Sequence, residues 1–132
     1  MKVVYLVGPF RGPSTWAVEQ NIRRAEEIAL EVWRAGGVAL CPHLNTRYFQ
    51  GELPDEVWLR GDLELLWRCD AVLVLPGWSE SDGSWAEVCR ALDLGRLLFF
   101  WDHEDDRRIL RSYLAHENPP ESSTSRPPPR PN

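Results

Sequence analysis

The 132-residue chain has no apolar run approaching the roughly 20 residues that cross a bilayer, and its opening MKVVYLVGPF is broken by Gly8-Pro9 too soon to serve as a signal peptide. A cytoplasmic protein is therefore expected. Runs of Lys and Arg are also missing, and the formal net charge is -5. That balance argues against a nucleic-acid polymer or an anionic membrane as partner and leaves a small molecule. Cys41, Cys69 and Cys89 are odd in number, show no CxxC spacing and sit in apolar contexts, so all three read as reduced core residues. No His/Cys/Asp cluster has the spacing of metal ligands, so neither a metal nor another cofactor is expected.

What is present is ordinary globular material, with 43% hydrophobic and 27% charged residues in a length suited to one core. KVVYLVG (Lys2 to Gly8), GVALCP and DAVLVLP are β-rich runs ended by Gly or Pro. Their continuous apolarity predicts strands buried on both faces, as in a parallel sheet. Between them, Thr15 to Ala35 places Ile22, Ala25, Ala29, Val32 and Trp33 at helical spacing before a Gly36-Gly37 stop. A second helix is predicted from about Asp55 to Arg68, with Val57, Trp58, Gly61, Leu65 and Leu66 facing inward and Asp70 capping or ending it. A third begins near Asp82 or Gly83 and carries Ala86, Cys89, Ala91 and Leu92 to Gly95. RLLFFW reads as a fourth strand and DDRRILRSYL as a terminal helix.

This alternation predicts an α/β, doubly wound parallel sheet of four to five strands with helices on both faces. The domain is expected over residues 1–116. The end, ENPPESSTSRPPPRPN, is too rich in Pro, Ser and Arg to bury apolar surface, so 117–132 reads as a disordered tail.

Ligands of such sheets bind beyond the carboxyl ends of the strands. Three segments reach that edge: GPFRG, PHLNTRYF and PGWSESDG. In the first, Gly8 and Gly12 allow close backbone approach and Arg11 suits a phosphate. In the third, Ser81, Asp82, Gly83 and Ser84 present donors at a helix N-terminus, whose field holds anions. Glu87, about one turn in, is expected to be ionised by that field and suited to be a nucleophile or base. Ser84 with Glu87 equally fits an S-x-x-E capping box that carries no chemistry. Asp62 is a second candidate carboxylate, and His43 is either an acid/base group or polar surface.

YLVGPFRG, GDLELLWRCDAVLVLPGW and SDGSWAEVCRALDLG, in that order over about Met1 to Phe100, resemble the nucleoside 2-deoxyribosyltransferase superfamily. Nearest are its short bacterial and phage members and its nucleoside 5'-monophosphate N-glycosidase branch. The resemblance implies a flavodoxin-like fold, usually dimeric and with a fifth strand, that cleaves the bond between a nucleobase and C1' of a ribose or deoxyribose. By position it makes Glu87 the nucleophile, Tyr5 its hydrogen-bonding partner and Asp62 the group that manages the base or its proton. Gly8, Arg11 and Ser81 then gather a 5'-phosphate, for which Ser81 is better suited than the acid found in enzymes of free nucleosides. Trp78 and Trp16 are candidates for stacking on the base. The implied function is cleavage or transfer of the N-glycosidic bond of a nucleoside 5'-monophosphate through a covalent glycosyl-Glu intermediate. The alternatives are a non-catalytic nucleotide-binding module of the same fold and a flavodoxin-like interaction domain whose capping box is a coincidence.

Overall fold

A computed structural model describes residues 1–116, and the expected tail from Glu117 onward lies outside the described residues. Four strands alternate with the helices: β1 (Val3–Val7), α1 (Thr15–Arg34), β2 (Val38–Leu40), the short α2 (Pro42–Asn45), α3 (Asp55–Arg68), β3 (Ala71–Val74), α4 (Asp82–Asp93), β4 (Leu97–Phe100) and α5 (Glu104–His116). A single 3-10 turn, Trp78–Glu80, precedes α4. The strands form one parallel sheet in the order β2-β1-β3-β4, pairing Tyr5 with Leu40 on one side and with Val72 on the other. This is the α/β, doubly wound, Rossmann-like class predicted, with four strands among the described residues.

Side chains alternate along a strand, so β1 sends Val4 and Leu6 to one face of the sheet and Tyr5 and Val7 to the other. The first pair joins Ala25, Ile28, Ala29 and Val32 of α1 and Leu110 and Leu114 of α5 in one core. The second pair joins Leu66 of α3 and Val88 and Ala91 of α4 in the other. Helices therefore cover both faces, and the alternation alone puts the Tyr5 phenol beneath α3 and α4.

Helix ends follow their local chemistry. Ser14 accepts the Ala17 N–H at 3.1 Å to start α1, and Gly36, at φ 97°, takes the left-handed conformation that lets the chain turn into β2. Asp70 does not end α3. Its carboxylate accepts the Val3 N–H at 2.8 Å, fastening the entrance of β3 to that of β1.

The helix faces required several corrections. On α1, Trp33 is exposed, because the buried stripe runs through Ile22, Ala25, Ile28, Ala29 and Val32. On α3 the inward stripe is Trp58, Asp62 and Leu66, at four-residue spacing; Val57 and Gly61 face out, and Leu65 is half-buried. Leu66 is the one fully buried apolar side chain of α3, a contribution of about 2 kcal/mol. On α4 the inward residues are Ser84, Val88 and Ala91, whereas Ala86, Cys89 and Leu92 face solvent. Cys41 and Cys69 are buried as expected; Cys89 is exposed, one helical position off the core stripe.

Candidate active site

Between β1 and β3 the strand order reverses, and the loops leaving their carboxyl ends part to form a cleft of about 870 Å³. Its walls come from the loop Gly8–Pro13, the first turns of α1, the segment around His43 and Thr46, the inward stripe of α3, and Gly77 to Glu87.

Tyr5, Asp62 and Glu87 meet at its floor from β1, α3 and α4. Tyr5 is fully buried under it, while Asp62 and Glu87 line it. Burial raises the Glu87 carboxyl from 4.5 to about 8, with the Asp62 charge adding to the rise and the Tyr5 hydroxyl opposing it. Burial raises Asp62 from 3.8 to about 6. The expectation that the helix field would keep Glu87 ionised is thus overturned: desolvation and a neighbouring acid outweigh a terminus more than a turn away. Tyr5 is pushed far above the usual phenol range by burial first and then by Glu87 and Asp62, so it remains a proton donor. Its hydroxyl meets no acceptor in full hydrogen-bond geometry, although it lies near enough to Glu87 for each to bias the other.

The helix start also separates Glu87 from capping. Ser81 is the N-cap of α4, its Oγ accepting the Ser84 N–H at 3.3 Å. Ser84 is then three residues inside the helix, buried, with an unpartnered Oγ, and Glu87 lies beyond the reach of any capping box.

Of the expected ligand-binding residues, Gly8, Arg11, Gly12, Ser81 and Gly83 all line the cleft. A methyl group on Gly8 would come within 2.9 Å of the Leu75 side chain, and one on Gly12 within 2.7 Å of the Ala17 Cβ, so both positions demand glycine for packing. Arg11 is ion-paired with Asp55 at the rim. Trp16 and Trp78 are not among the lining residues. Trp16 is 74% exposed on the first turn of α1, and Trp78 stacks on Trp85 at 5.5 Å between ring centres and packs against Phe100.

Sequence reasoning missed other residues. The aromatic walls are Phe10 and Trp58, the latter expected on the core face of its helix. Trp58 stands one turn before Asp62, packs on Phe49 at 5.9 Å and buries an unpartnered indole N–H. The signal was its four-residue spacing from a carboxylate. Arg24 also lines the cleft and makes no ion pair among the described residues, unlike Arg23, which lies near Glu19 and Glu26. His43 is buried, and its Nε2 bonds the Pro9 carbonyl at 2.9 Å. Desolvation lowers its pKa, so the ring is neutral at pH 7. Arg47 clamps the segment after β2 to α1 through Glu26 at 2.9 Å and Glu19 at 3.3 Å. Among the described residues no three His, Cys, Asp or Glu side chains are grouped as a metal would need, and no helix is long and apolar enough to cross a membrane.

A parallel sheet with a cleft at its switch point, floored by two carboxyls and a buried tyrosine, defines an α/β domain with the fold of a deoxyribosyltransferase. Residues 2–99 match the family described as "Domain of unknown function (DUF7768)", and the chain belongs to that family. Among solved structures it is similar to the 2-deoxyribosyltransferase from the psychrotolerant bacterium Bacillus psychrosaccharolyticus, with a TM-score of 0.53 and 17% identity over 74% of this chain and 70% of that one. No curated protein matches the sequence.

Proposed function

We propose that the protein cleaves, or transfers the sugar of, the N-glycosidic bond of a nucleoside 5'-monophosphate, with Glu87 as nucleophile. The observation that carries this reading is the convergence of Tyr5, Asp62 and Glu87, each from a different element, at the floor of one cleft.

The raised values of the two carboxyls suit the reaction. Between about pH 6 and pH 8 the pair holds one proton. N-glycoside cleavage needs that state, with one carboxylate to attack and one carboxylic acid to protonate the leaving base. The higher value places the resting proton on Glu87, so it must first pass to Asp62. A Glu87 oxygen then bonds to C1', the C1'–N bond breaks, and its electron pair leaves on the base, which takes the proton from Asp62. Water, or the nitrogen of a second base, then attacks C1', frees Glu87 and returns a proton to Asp62. The Tyr5 hydroxyl donates to whichever charge remains on Glu87. Trp58 offers the base a flat apolar wall one turn from the acid.

Support for a phosphate comes from Ser81, whose hydroxyl accepts from Ser84 and keeps its own proton for a ligand, from Gly83, where an added Cβ would meet nothing within 4 Å beyond its own neighbours and helix backbone, and from the uncompensated Arg24. The test is chromatographic: purified protein is incubated with a panel of nucleosides and their 5'-monophosphates, and free base is measured. Base release from monophosphates, lost in Glu87→Gln, is the expected result. Release from nucleosides in preference to nucleotides would refute the phosphate assignment, and tight binding without any release would favour the non-catalytic module.

A further inference from the structure

Residues 46–54, between α2 and α3, belong to no helix or strand, yet Thr46 and Gln50 line the cleft and Phe49 packs on Trp58, which lines it too. The backbone hydrogen bonds of this segment are local: the Phe49 N–H donates to the Thr46 carbonyl and the Glu52 N–H to the Phe49 carbonyl, each at 3.0 Å. Burial adds little, since Tyr48, Phe49 and Leu53 are all exposed. A segment with so few buried contacts opens at small cost unless something ties it down.

Arg47 is that tie. Its Nη1 donates to Glu26 at 2.9 Å and its Nη2 to Glu19 at 3.3 Å, two acids about two turns apart on α1, and the guanidinium lies 4.7 Å from the centre of the Tyr48 ring. Lysine would keep the charge but neither the two-armed fork nor the flat stacking face. The Arg47 side chain is 20% exposed, against 61% to 73% for Arg11, Arg23, Arg34, Arg68 and Arg108 in their ion pairs, so water and salt weaken this clamp least. Among the described residues no other side chain of the segment is hydrogen-bonded to another element. Because α1 and α3 cover opposite faces of the sheet, a segment tied to α1 through Arg47 and to Trp58 of α3 through Phe49 spans the sheet edge and sets the width of the cleft there.

We infer that Arg47 is a positioning residue for the nucleobase: by holding residues 46–54 against α1 it keeps Phe49 on Trp58 and so fixes the wall on which the base lies. The inference rests on the nucleotide reading above and adds to it a residue that is not among those lining the cleft. Arg47 acts on the base only through Phe49 and Trp58, so its effect on binding depends on the Trp58 ring being present.

The test is a double-mutant cycle read by calorimetry in the Glu87→Gln protein, in which no base is released during the titration. The ligands are the common ribo- and deoxyribonucleoside 5'-monophosphates and, carrying no base, ribose 5-phosphate and its 2-deoxy form. Arg47→Ala is expected to weaken the best-bound nucleotide about fivefold and its base-free sugar phosphate less than about twofold, with Arg47→Lys closer to Ala than to Arg. In a protein already carrying Trp58→Ala, the same Arg47→Ala change is expected to cost less than about twofold, because the wall it fixes is gone. Should Arg47→Ala not fold, Glu26→Gln, which removes one arm of the fork, takes its place in the cycle. Equal losses with and without Trp58, equal losses for nucleotide and sugar phosphate, or full rescue by Lys would show that Arg47 only supports the fold, and would overturn the inference while leaving the nucleotide reading in place. Failure of the Glu87→Gln and wild-type proteins to bind any of the nucleotides would overturn that reading, and the inference with it.

Discussion

Replacing Glu87 by Gln is expected to make the protein more stable, and increasingly so as the pH rises. The carboxyl has its ordinary value of 4.5 in the unfolded chain and about 8 in the folded one. Because the folded value is the higher, the folded state keeps a proton that the unfolded state releases between those limits. Stability therefore falls as the pH rises from 4.5 to about 8, and the loss is complete above that. A tenfold change in proton activity is worth about 1.4 kcal/mol per group, so the full span sets an upper figure of roughly 5 kcal/mol. That is a large share of the roughly 5–15 kcal/mol that holds a domain of this size together. Gln has the same shape and never ionises, so it escapes the loss. Urea unfolding of the wild type and Glu87→Gln should give equal free energies near about pH 5 and a gap of at least about 2 kcal/mol at about pH 8.5. Parallel curves across that range would show that Glu87 is solvated and freely ionised, and the acid pair would lose its physical basis.

Two further outcomes follow from the cleft. The rate of base release should be bell-shaped with limbs near pH 6 and pH 8, since below the first neither carboxyl can attack and above the second neither can protonate the base; a rate still flat at about pH 9 would contradict the shared proton. Trp58→Ala should weaken nucleoside binding by about tenfold or more, the scale of one lost base stack, whereas Trp16→Ala should change it less than about twofold; equal effects in titration calorimetry would refute the assigned wall.

Much of this architecture was legible because strand and helix periods leave few options. The uninterrupted apolar runs at Val3–Val7 and Ala71–Val74 are what a doubly covered parallel sheet requires, and the helix of Asp55–Arg68 was bounded by Pro54 and by the apolar run that follows Asp70. Its rotation was not legible. Val57 and Leu65 form one apolar stripe, Trp58 and Leu66 another, and the stripe that turns inward carries Asp62, a choice made by the cleft and not by hydrophobicity. The same holds for α4, where the inward face includes Ser84 and Glu87 while Ala86, Cys89 and Leu92 are left outside. The capping alternative for Glu87 failed on one residue: Ser81, not Ser84, takes the N-cap, a choice that S-x-x-E spacing cannot make. Tryptophan roles were the least readable, because a large ring in a Trp-rich chain suits core, surface and pocket equally until the backbone path is known.

The most direct measurement is to quench the protein with acid during turnover of a nucleoside 5'-monophosphate and to locate any attached sugar by mass spectrometry of its peptides. A sugar phosphate ester on the Glu87 peptide, absent in Glu87→Gln, is the expected result. Turnover with no label on that peptide, or label on another residue, would contradict Glu87 as the nucleophile.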